Sequence, residues 1–171
     1  MNKIQKYSIG AALALFYYLA YSGNLSHIIA YHEQHHLFLF TEAYFEQQVQ
    51  SEGFFSYLTD FIIQFFYYPA LGSALLALLL ASVYLMTSNI IRFLFGKEDL
   101  LHLSVIPSLA LFYHTMEASH TLVPITISVL ILAFINLTLW ITRSHMPLIP
   151  LFKNFHIQKK SIRIGITAVA L

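Results

Sequence analysis

The chain reads as an all-α, polytopic integral membrane protein, and three features of the sequence predict this. Of 171 residues, 58% are hydrophobic and only 10% charged, against about 25% charged in an ordinary soluble domain. Long apolar runs follow one another with short polar breaks, as a series of spans does. The nine Lys and Arg residues stand at or beyond the ends of those runs. There is no cysteine, which excludes disulfides and thiolate metal sites. The bilayer is the expected partner, and nucleic acid is not.

The elements of this single membrane domain, residues 1–171, follow in order. Residues 7–23 form a first span of about 17 residues, at the short end of what crosses the hydrocarbon core. Two lysines, a short apolar core and Ala20-Tyr21-Ser22 also fit a cleavable leader, which exports the following loop equally well. Residues 24–68 form an outer loop. In "FFSYLTDFIIQFFYY", Ser56, Asp60 and Gln64 recur every four positions and so share one helical face, with Phe and Leu around the rest. That is the pattern of a helix lying in the headgroup layer. Glu42 and Glu46, also four apart, predict a second short helix with an acidic face toward water. Pro69 then marks the bend into a second span, residues 69–93. One long helix from Phe54, kinked at Pro69, is the alternative.

Residues 100–116 and 122–142 predict third and fourth spans joined as a hairpin. Residues 143–161 are a basic loop broken by Pro147 and Pro150. Residues 162–171 begin a fifth apolar segment of about ten residues where a span needs about 20. The chain is therefore expected to be the N-terminal piece of a longer protein.

These spans put all nine basic residues on one side, which the positive-inside rule makes cytoplasmic. The N-terminus is then cytoplasmic and the first loop periplasmic, in a bacterial inner (plasma) membrane. The outer side holds Glu33, Glu42, Glu46, Glu52, Asp60 and Glu117 with His27, His32, His35, His36 and His120.

Within that loop "YHEQHH" spells H-E-x-x-H. On a helix this spacing presents His32 and His36 as metal ligands one turn apart, with Glu33 to activate bound water. A divalent metal ion is the cofactor so implied. A third ligand is needed, and no third-ligand motif follows in "LFLFTEAYFEQ". Chance placement yields the pattern in roughly one or two such sequences per hundred. A plainer reading lets His32, His35 and His36 cap or hydrogen-bond at a wet interface.

The succession of short span, acidic outer loop, surface helix, "YYP" junction and Ala- and Leu-rich span resembles the N-terminal part of the GT-C glycosyltransferases. The text from "YHEQHHLFLFTEAYF" to "FFYYPALGSALLALLL", within residues 10–95, also resembles an uncharacterised family of large multi-pass proteins of Bacteroidales-type bacteria. The GT-C resemblance implies an enzyme that uses a lipid-linked sugar to build an envelope polymer. It also implies an outer-loop carboxylate as catalytic base or metal ligand: Glu33, or else Glu42, Glu46 or Asp60. No Asp-Asp or Glu-x-Asp pair of the usual kind stands in the loop. The chemistry itself asks for such a carboxylate at membrane-surface depth and for a cation near the donor phosphate, which the outer side lacks. Three functions are thus expected in order: a GT-C-like transferase, a metal-dependent membrane peptidase, and a non-enzymatic structural or transport subunit.

Overall fold

The computed structural model describes residues 3–36, 38–95 and 103–145. Among them the chain is all helical: α1 Lys3–Ser22, α2 Ser26–His35, α3 Glu42–Ser51, α4 Phe54–Ile63, a 3-10 turn Gln64–Tyr67, α5 Pro69–Phe95, α6 Val105–His114 and α7 Val123–His145. The expected loop 143–161, beyond its first three residues, and the fifth segment 162–171 lie outside the described residues.

Two helices are long and apolar enough to cross a membrane, Pro69–Phe95 and Val123–Thr142 within α7, which points weakly to a membrane location. At 1.5 Å per residue, α1 with its 20 residues rises about 30 Å, as far as the hydrocarbon core is thick. Within residues 100–116 the described helix is the ten-residue α6, which rises only about 15 Å. The joint before α5 is where the sequence puts it. Helix α4 tightens into the 3-10 turn, and Pro69 takes the first position of α5, where its missing N–H has no partner to lose.

The chain divides into two units, Met1–Asn136 and Leu137–Leu171. In the first, α1 packs along α5 in the opposite direction, since Lys6 near the start of α1 hydrogen-bonds Asn89 near the end of α5. Helix α6 runs with α1. Tyr17 meets Ser108 at 2.8 Å and Tyr21 meets Thr115, so these two α1 tyrosines reach hydroxyls on α6 and at its C-cap. Ser108 donates in turn to the Leu80 carbonyl at 2.7 Å, which leaves Tyr17 to donate to Ser108. Helix α7 starts beside α4, with the Thr59 and Thr126 hydroxyls 2.9 Å apart, and Asn136 donates to the Met86 carbonyl at 3.2 Å. The core combines Tyr17 and Tyr21 of α1, Ile28 and Ile29 of α2, Leu76 and Leu80 of α5, Phe112 of α6 and Ile125 of α7. Aromatic bodies fill it while their hydroxyls stay bonded, as buried polar groups require. In the second unit the described residues are helical, and Thr142 donates to Thr138 O at 2.8 Å.

Candidate functional site

The loop between α1 and α5 folds into α2, α3 and α4, and the site is assembled from one side chain or two on each. Helix α2 buries Ile28, Ile29 and His32, a one-face spacing that seats it on the core. It stops at His35. His36 is its C-cap, with extended backbone at φ −121° and ψ 118°, so the H-E-x-x-H spacing runs one residue past the last helical turn.

Helix α3 starts from Thr41, whose hydroxyl accepts the Tyr44 N–H at 3.2 Å, the usual device for satisfying a free helix N–H. Helix α4 starts from Gly53 at φ +92°, a left-handed conformation that glycine adopts without strain. Phe38, in the link between α2 and α3, then packs against Tyr44, Tyr57 and Phe61, with ring centroids 5.8, 5.0 and 5.5 Å away. These rings wall the site on its apolar side.

Inside that wall lies Asp60, only 4% exposed. His36 Nδ1 donates to its Oδ1 at 3.0 Å. The Tyr44 hydroxyl donates to Oδ2 at 3.3 Å, and Gln48 Nε2 donates to the same oxygen at 2.9 Å. Tyr44 and Gln48 are four apart and so share the inner face of α3. Gln48 also reaches Glu52 Oε2 at 3.1 Å, which accepts from Ser56 at 2.9 Å. A buried carboxylate is tolerable only with such a set of donors.

The carboxylate sets the protonation of its neighbours. Its hydrogen bond raises His36 above the usual imidazole value, against the opposing effect of burial, and the Asp60 and Glu52 charges add to the rise. Burial first, then the Asp60 charge, push the Tyr44 phenol up to about 12. With Nδ1 given to Asp60, His36 keeps Nε2 as a proton acceptor at a partly exposed position. An Asp-oriented imidazole with one free nitrogen can take a proton from a hydroxyl or a water.

His32 differs in every respect. It is 2% exposed, and neither ring nitrogen has a hydrogen-bond partner among the described residues. Burial, followed by the His36 and His35 charges, lowers it to about 4. Its ring centroid lies 5.6 Å from that of His36. His35 caps at the surface, with Nδ1 against Tyr31 O at 2.7 Å and its ring stacked on Tyr31 at 4.1 Å.

Among the described residues no group of three or more His, Asp or Glu side chains is placed to hold a metal ion. His32 and His36 offer two imidazoles, and His36 has already given one nitrogen to Asp60. Among the described residues the donor set is thus incomplete for the implied divalent metal. Glu117 and His120 form their own surface cluster, His120 Nε2 lying 3.3 Å from Glu117 Oε2 and its ring stacking on His114 at 4.6 Å.

Of the carboxylates expected from the sequence, the structure gathers Asp60 with His36 and leaves the others apart. Glu33 is half-buried on α2, with no hydrogen bond to a described residue, while Glu42 and Glu46 are exposed. The latter two stand two positions from Tyr44 and Gln48 and therefore on the opposite side of α3. Tyr44 and Gln48 are partners of Asp60 that the sequence did not single out. Their four-residue spacing is the same signal, one face over.

No curated protein and no solved structure matches the chain. A model of a family of unknown function, DUF6057, matches residues 2–157, and the chain belongs to that family.

Proposed function

We propose that the protein is an inner-membrane GT-C-like glycosyltransferase that moves sugar from a lipid-linked donor during synthesis of an envelope polymer. In this reading α1, α5, α6 and α7 form the membrane part, and the α2 to α4 layer lies on the periplasmic face. His36 is the catalytic base and Asp60 its positioning residue. The observation that carries the reading is the buried Asp60 carboxylate, fully committed to His36, Tyr44 and Gln48. Such an arrangement orients an imidazole better than it accepts a proton itself.

In the step proposed, the acceptor O–H bond breaks and its proton goes to His36 Nε2. The acceptor oxygen bonds the anomeric carbon. The bond from that carbon to the donor phosphate oxygen breaks, and the lipid phosphate leaves with the electron pair. Glu33 is the second choice for the base.

The test is sugar transfer from a labelled polyprenyl-linked donor by the full-length protein in vesicles. His36→Ala should lower turnover by about 10²- to 10⁴-fold, the usual worth of a positioned base. Asp60→Asn should lower it too and shift the acid limb of the pH profile to lower pH, because the carboxylate no longer raises His36. No transfer by a folded wild type across a broad donor panel sinks the proposal.

A second reading, the metal-dependent peptidase, is favoured by one observation, the two partnerless ring nitrogens of His32 beside His36. Stoichiometric zinc in the purified full-length protein would put that reading first. Its absence would remove it.

A further inference from the structure

At the end of the molecule away from this site, α1 and α5 bring two cations together. Lys6 is 7% exposed, and its ammonium donates to Oδ1 of Asn89. Arg92 follows three residues later, on the same face of α5. Because Asn89 meets Lys6, Arg92 stands one helical turn from that contact. Both Asn89 and Arg92 are exposed. The ion pairs among the described residues involve His36 and His120, so neither Lys6 nor Arg92 has a carboxylate partner there.

A buried cation next to a second cation is unfavourable unless an anion joins them. Because Asn89 gives its oxygen to Lys6, its amide NH2 is left to donate outward. Lys6, Asn89 and Arg92 thus present N–H donors and no free acceptor, a set suited to phosphate oxygens. The flanks are apolar. Tyr7 and Phe93, each next in sequence to one of the cations, and Ile4 in the first turn of α1 are exposed, and the Lys6 ammonium lies 5.7 Å from the centre of the Tyr7 ring. An oxyanion that carries hydrocarbon fits such a rim better than a free ion does.

We propose that Lys6, Asn89 and Arg92 bind the phosphate head group of an anionic phospholipid in the cytoplasmic leaflet, with its acyl chains along Ile4, Tyr7 and Phe93. Basic clefts between helices on that side are suited to anionic head groups. The proposal rests on the membrane-spanning part of the function proposed above and is independent of its transfer chemistry.

The test uses the full-length protein in nanodiscs of phosphatidylcholine with a minor fraction of phosphatidylglycerol, and counts the lipids retained on the protein by native mass spectrometry. Wild type should retain phosphatidylglycerol with a preference on the order of tenfold, and Lys6→Gln with Arg92→Gln should abolish it. Asn89→Asp puts a carboxylate against the Lys6 ammonium from within. It should abolish the preference while keeping or raising the melting temperature, an outcome that loss of fold cannot mimic. An unchanged preference in both variants, or none in wild type, overturns the proposal. Inorganic phosphate added as a competitor identifies a free-ion site if it removes the preference, which also overturns it. A wild type that fails to enter the nanodisc refutes the membrane reading first, whereas failure of sugar transfer alone leaves the lipid site standing.

Discussion

His32 is the residue with the most to reveal. Its imidazole is buried with neither nitrogen bonded to a described residue, and leaving a buried polar group unpaired costs about 1–3 kcal/mol. A leucine of similar volume has no such group. His32→Leu should therefore leave the metal-free protein as stable as wild type or stabilise it by about 1–2 kcal/mol. The pH dependence tests the same point. His32 titrates near 4 in the fold against the usual 6.5, so between those values the unfolded chain binds the extra proton. Stability from this group is complete above pH 6.5 and is lost as the pH falls toward 4, by at most roughly 3 kcal/mol. His36 has the opposite sign, because its value is raised. Its contribution is complete below pH 6.5 and is lost as the pH rises through the folded value. Urea unfolding from pH 8 to pH 4 should give wild type a maximum near neutrality. The His32→Leu variant should keep its stability to lower pH. A variant that loses stability at every pH would favour a metal held by His32.

At the scale of the element, Gly72 shows how closely the loop is seated on α5. A Cβ there would stand 2.9 Å from Phe66 Cδ1, 3.1 Å from the Phe66 Cα and 3.1 Å from Ile29 Cγ2. The backbone of the 3-10 turn cannot yield as a flexible side chain would. Gly72→Ala should cost about 1–3 kcal/mol by overpacking, read as a lowered melting temperature, and should loosen α2 and the 3-10 turn together. The sequence made much of this region legible. Pro69 announced the start of α5, the Glu42 and Glu46 spacing announced α3, and the four-residue recurrence through Asp60 announced α4. It did not indicate which face of each helix turns inward. Glu42 and Glu46 marked the helix that Tyr44 and Gln48 use. The pairing of His36 with Asp60 spans 24 residues, a contact made by the packing of three helices and invisible to local periodicity. Likewise, H-E-x-x-H carried no sign that the helix ends before His36 or that Asp60 takes its Nδ1.

For the whole molecule, side of the membrane is the property that the remaining inferences share, and α6 decides it. A ten-residue helix is too short by itself to cross about 30 Å of hydrocarbon. However, the hydroxyl bonds from Tyr17 to Ser108 and from Tyr21 to Thr115 hold α6 alongside the second half of α1. In the four-span reading, the end of α6 then emerges on the same side as the end of α1. Because the chain has no cysteine, single cysteines report this directly. Gln5, Gln47 and Ser119 are exposed positions in the first turn of α1, on α3 and between α6 and α7. With an impermeant maleimide on intact cells, Gln47→Cys and Ser119→Cys should label together, and Gln5→Cys only after permeabilisation. The charge distribution sets the direction, since no Lys or Arg falls on the outer side in the four-span reading. The hydrogen bonds set the agreement between positions 47 and 119. Labelling of Gln5 alone in intact cells would invert the orientation and spare the fold. Opposite sides for Gln47 and Ser119 would mean that α6 does not lie along α1, and the fold would fall with the topology.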